Sequence, residues 1–96
     1  MKYLLVHWSI HDGENEYDDY ALVKTEKKGW DDKRVFKKVL RNNYGEGLEA
    51  TEKTRGDSFT LPNDYRMVNL EGISEITEEE RNALQSTRVV SWETGY

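Results

Sequence analysis

Residues 2–10 alternate without interruption, with Leu4, Val6, Trp8 and Ile10 on one side and Tyr3, Leu5, His7 and Ser9 on the other. Successive side chains of an extended strand point to opposite faces. Four large apolar groups in one row have to be buried, so the segment predicts a strand fully covered on its even side. Whatever follows in the chain has to supply that cover.

The next residues, His11-Asp12-Gly13-Glu14-Asn15-Glu16, are turn formers. Tyr17 to Thr25, centred on Tyr20-Ala21-Leu22-Val23, has the β-branched and aromatic character of a second strand. A hairpin is the simplest connection between the two. Past Gly29, Asp31 or Asp32 can cap a helix whose apolar positions Val35, Phe36, Val39 and Leu40 recur at helical spacing. Acids at its start and Lys37, Lys38 and Arg41 toward its end complement the helix dipole. Asn42, Asn43 and Gly45 stop it.

Residues 46–64 are polar and hold the single proline, Pro62, which fits either a weak hairpin or a mobile loop. Tyr65 to Leu70 alternates again and predicts a strand broken by Glu71-Gly72. Thr77 and Glu80 have capping-box spacing, so a short helix through about Leu84 follows. Residues 87–92 form a last β-prone run before a polar tail.

This order of elements predicts an α+β fold: a small antiparallel or mixed β-sheet, made of the N-terminal hairpin plus two to three further strands. One main helix and one short helix pack on one face of it. A chain of 96 residues has room for one hydrophobic core, so residues 1–96 form a single α+β domain. Only 35% of the residues are apolar, but three Trp, six Tyr and two Phe supply the large surfaces that disordered chains lack. Without cysteine, neither disulfides nor thiolate metal sites can hold it together. The apolar run at the N-terminus is too short for a signal peptide's central region or for a membrane span, which makes a cytoplasmic location and no membrane partner the default expectation.

Nineteen acidic against 14 basic side chains give a net charge of −5, and they are unevenly placed. Ten of the 14 basic residues lie between Lys24 and Arg55, whereas Asp12 to Asp19 contributes five acids and no base. An electrostatically two-sided surface follows.

No motif specifies a catalytic residue or a cofactor. Cysteine nucleophiles are absent, no serine sits in a nucleophile-elbow context, and Gly45-Glu46-Gly47 lacks both the third glycine and the following helix of a phosphate loop. His11 with the acids of the turn could in principle serve metal-assisted hydrolysis. His7 and His11, however, are separated by about 13 Å along a regular strand, too far to share one ion. Arg55-Gly56-Asp57 is an integrin-type tripeptide that chance explains.

Two surfaces remain. The acids Asp12, Glu14, Glu16, Asp18, Asp19, Glu75, Glu78 and Glu79, with Glu71 and Glu80, could dock on a basic protein. Alternatively, Lys33, Arg34, Lys37, Lys38 and Arg41 with Trp30 nearby could bind nucleic acid. The sequence therefore points first to a non-enzymatic, acidic protein-binding module. Small chains of this kind are commonly accessory or inhibitory proteins, often of phage or mobile-element origin. A nucleic-acid-binding accessory domain is the alternative, and the metal-assisted hydrolase at His11 comes last.

Overall fold

A computed structural model describes residues 1–45, 49–50, 58–61, 66–90 and 93–96, with only the backbone of 49–50. The predicted hairpin is present and longer than its sequence signature: β1 (Lys2–Asp12) pairs in continuous antiparallel register with β2 (Asn15–Thr25). Asp12 lies opposite Asn15, leaving Gly13 and Glu14 as the loop. Gly13 sits at φ 62°, the left-handed value that a tight hairpin loop asks of its first residue.

Helix α1 (Asp32–Tyr44) follows. Its N-cap is Asp31, whose Oδ1 accepts from the amides of Lys33 and Arg34 at 2.9 and 3.1 Å. Gly45 closes it with its N–H donated to the Arg41 carbonyl. The stripe Val35, Phe36, Val39 and Leu40 is fully buried. It packs on Leu4, Val6, Trp8 and Ile10 of β1 and on Ala21 and Val23 of β2, which are buried with it. Phe36 lies between two other rings, 6.2 Å from Trp8 and 5.9 Å from Phe59. The even face of β1 is thus covered as its alternation requires.

Two short strands, β3 (Glu49–Ala50) and β4 (Ser58–Thr60), pair antiparallel, which is the hairpin alternative for this region. Next comes β5 (Met67–Ile76), antiparallel to both β4 and β1. Helix α2 (Glu78–Ser86) and β6 (Glu93–Gly95) complete the chain. Among the described residues the sheet has six strands in the order β3-β4-β5-β1-β2-β6, antiparallel except where β6 runs parallel to β2. The fold is therefore α+β with a mixed sheet and two helices, and no described helix is long and apolar enough to cross a membrane. The Arg55-Gly56-Asp57 tripeptide, Pro62, Tyr65 and Trp92 lie outside the described residues.

Three local expectations change. Glu71-Gly72 does not end its strand: His7 is opposite Gly72 and Trp8 opposite Leu70, so Glu71 is the extra residue of a bulge and β5 continues to Ile76. The central strand β1 offers a second full ladder, and one unpaired residue is a smaller loss than abandoning it. Residues 87–90 turn after α2 instead of forming a strand, with Arg88 at φ 58°. The last strand is instead Glu93–Gly95 in the supposed tail. It is held by the Tyr96 N–H on the Lys24 carbonyl at 2.9 Å and by the Thr25 hydroxyl on the Tyr96 carbonyl at 3.1 Å.

The third change concerns α2, which lies on the opposite face from α1. Arg81 sits 5.1 Å from the ring of Tyr3, an odd residue of β1. Arg81 also grips Glu93, which pairs with the odd-face Leu22. The α1-side core contains no α2 residue. The reason is that Tyr3, Leu5 and Leu22 make the second face apolar at one end, and Leu22 is fully buried there.

Candidate binding face

Because α2 sits only over the Tyr3 end, the hairpin end of the second face has no helix above it among the described residues. Strand parity decides what lies there. β1 contributes His7, Ser9 and His11, and β2 places Tyr20, Asp18 and Glu16 directly opposite them in that order. On the other side β5 supplies Met67, Asn69 and the bulged Glu71, and β4 adds Ser58 and Thr60.

These side chains hold one another. The His7 imidazole stacks on the Tyr20 ring, with centroids 4.5 Å apart and planes 12° apart. Its Nε2 is 3.2 Å from Asp18 Oδ1, but the approach angle falls short of a hydrogen bond, which leaves this nitrogen otherwise without an acceptor. His11 Nε2 stands 3.6 Å from Glu16 Oε1. The Ser9 hydroxyl donates to Glu71 Oε1 at 2.8 Å, and that of Ser58 donates to Asn69 Oδ1. Tyr20 and Met67 remain 37% and 39% exposed, large for side chains on a sheet face. The formal charges on this part of the face are carboxylates, with no lysine or arginine among its described residues.

The far end of the same face is built differently. Arg81 donates from Nε and from its second terminal nitrogen to the two oxygens of Glu93 at 2.8 and 2.9 Å, and Lys24 Nζ stands 3.8 Å away. The Arg81 bonds hold the Glu93 carboxyl below the ordinary carboxylate range, and Glu93 in turn raises Arg81. This cluster ties α2 to β6. On the α1 side, burial pushes the Tyr44 phenol up. The Trp8 indole N–H draws it partly back without reaching full hydrogen-bond geometry.

The acids singled out from sequence do not form one surface. Asp12 and Glu14 are at the hairpin tip, Glu16 and Asp18 are on the second face, and Asp19 is on the α1 side opposite Trp8. Glu75 also faces the α1 side, opposite Leu4, where Lys2 approaches it at 3.8 Å. Glu78, Glu79 and Glu80 form the first turn of α2, and Glu80 is spent on the capping box with Thr77. That turn lies beyond the Tyr3 end of β1, roughly 30 Å along the strand from the hairpin tip.

The basic residues Lys33, Arg34, Lys37, Lys38 and Arg41 are exposed on the outer face of α1, and the first four form no ion pair among the described residues. Trp30 is not a free stacking platform. It packs against the core, donates to Asp32 Oδ1 at 3.0 Å and has Lys2 5.4 Å from its ring centroid. Among the described residues no three His, Asp or Glu side chains converge as metal ligands. His7 and His11 each meet a single carboxylate instead. The sequence did not reveal the pairing of imidazoles with Asp18, Glu16 and Tyr20. The only signal was the two-residue hairpin loop, which fixes the register once it is recognised.

Among the described residues, fold and face together define a class: a small mixed-sheet domain with one helix per side and an acid- and aromatic-bearing sheet face that its helix covers at one end. No protein-family model matches the chain, and no curated protein or solved structure is significantly similar to it.

Proposed function

We propose that this chain is a non-enzymatic binding module that docks on a basic protein surface, as an accessory or inhibitory protein would, through the half of its second sheet face over which no described helix lies. An antiparallel sheet tolerates one wet face, so exposure alone carries little. The supporting observation is the composition of that face: a stacked His7–Tyr20 pair and the exposed Met67, bordered by Glu16, Asp18 and Glu71 with no cation among them. Tyr and Met are enriched at the centres of protein interfaces, and a rim of one sign steers a partner of the other.

Affinity capture from the source lysate with three variants tests this. Tyr20→Ala and Asp18→Lys should each lose the captured protein, while Lys37→Glu should retain it, and the captured surface should be basic. Retention by both face variants would sink the proposal.

Lys33, Arg34, Lys37 and Lys38 of α1, exposed and without an ion pair among the described residues, favour a second reading, contact with nucleic-acid backbone. Fluorescence anisotropy of labelled single- and double-stranded oligonucleotides tests it. Binding that weakens steeply with salt and disappears in Lys33→Glu/Lys37→Glu would support it, and no binding at low salt would remove it.

A further inference from the structure

We propose that the outer edge of β2 takes up an extended, lysine- or arginine-bearing peptide segment as an added strand, which rests on the protein-binding reading above and specifies how the partner is held. β2 is 11 residues long, and its inner edge is paired with β1 throughout. On its outer edge β6 covers only Leu22, Val23 and Lys24, so from Asn15 to Ala21 no described strand lies alongside.

The direction of the backbone groups follows from two contacts. In an antiparallel strand the N–H and C=O of one residue point to the same edge, and successive residues alternate. The Lys24 carbonyl accepts from Tyr96 on the outer side. The Tyr20 N–H, turned away from β1, is met at 2.8 Å by the Asp19 carboxylate beside it in sequence. Both residues are even-numbered, so the N–H and C=O of Glu16 and Asp18 also face outward. The stretch holds neither proline nor bulge, two of the devices by which proteins blunt an edge.

Charge selects the occupant. Asp12, Glu14, Glu16, Asp18 and Asp19 surround this edge with no lysine or arginine between them in sequence, and Arg66, beside the start of β5, reaches it to donate to the Tyr17 hydroxyl at 3.0 Å. A second copy pairing through β2 would set like charges opposite one another, which destabilises a ladder. A basic strand would set opposite charges beside Glu16, Asp18 and Asp19, while the Tyr20 ring, 37% exposed, and the Tyr17 ring, 42% exposed with its hydroxyl held by Arg66, receive its apolar residues on the two faces. Strand addition draws affinity from main-chain hydrogen bonds and specificity from alternate side chains, and this edge offers both.

The test is NMR on the full-length 15N-labelled chain with a short capped peptide of alternating lysine and valine, its fully N-methylated counterpart, and a glutamate–valine version. The lysine–valine peptide should bind saturably, shift amides from Asn15 to Ala21, and slow hydrogen exchange at Glu16 and Asp18 by tenfold or more. N-methylation should weaken binding at least tenfold, and the acidic peptide should not bind. Equal binding of the N-methylated peptide, shifts centred on Glu78–Glu80 of α2, or no saturable binding would each overturn strand addition. Concentration-dependent broadening of Asn15–Ala21 without peptide would overturn it in favour of self-pairing. Lysate capture that still depends on Tyr20 would then leave the broader binding proposal standing, so the two can fail separately.

Discussion

Replacing Phe36 with alanine tests the seat of α1 on the sheet, because this ring is fully buried and lies between Trp8 and Phe59. Taking about 200 Å² of apolar surface for a phenylalanine at about 25 cal/mol/Å² gives an upper figure of roughly 5 kcal/mol. Measured phenylalanine truncations in cores cost about 3–5 kcal/mol once the cavity is counted. A domain of this size has on the order of 5–15 kcal/mol in total, so Phe36→Ala should remove a large share of it and lower Tm by on the order of 15–30 °C. Urea unfolding followed by tryptophan fluorescence reads the change, since Trp8 is fully buried beside the site. Phe36→Leu, expected to cost about 1–2 kcal/mol, keeps the effect measurable if the alanine variant does not fold. Lys37→Ala, on the solvent side of the same helix, should stay within about 0.5 kcal/mol of the parent. A loss below about 1 kcal/mol for Phe36→Ala would refute the packing of α1 against Trp8.

Three further outcomes are expected. Glu93 is held below its ordinary pKa in the folded chain by the Arg81 bonds, so its contribution is complete above the unfolded value and disappears as pH falls through the lower folded one. Glu93→Gln should flatten that acid-side decline in urea-unfolding stability, and a parallel offset at all pH values would contradict it. Thr77→Ala removes the hydroxyl that accepts the Glu80 amide and should cost about 1 kcal/mol, with faster hydrogen exchange confined to the first turn of α2. Gly13→Ala places a side chain at φ 62° in the hairpin loop and should cost about 1–2 kcal/mol by thermal unfolding even though the added Cβ meets open space. An unchanged Tm there would mean that the loop adopts another turn.

Sequence alone determined the elements whose signals are local and strong. The period-two run Leu4, Val6, Trp8, Ile10 required a covered strand. The stripe Val35, Phe36, Val39, Leu40 after Asp31 required an amphipathic helix, and these are the two surfaces that meet. The Thr77–Glu80 spacing located the start of α2, because a capping box is satisfied within a single turn.

Tertiary structure decided the rest, for identifiable reasons. α2 buries no residue fully and carries little apolar patterning, so the face it joins was set by contacts from distant positions, Arg81 with Glu93 and Tyr3. β5 passes Glu71-Gly72 because β1 offers ladder partners on both sides of the bulge, and the tail becomes β6 because the edge of β2 at Leu22–Lys24 accepts it. Acid content was plain from the sequence. Which acids share a face was not: a carboxylate's position depends on strand register and crossover, and these put Glu16 and Asp18 beside imidazoles and Glu75 on the opposite side with Lys2.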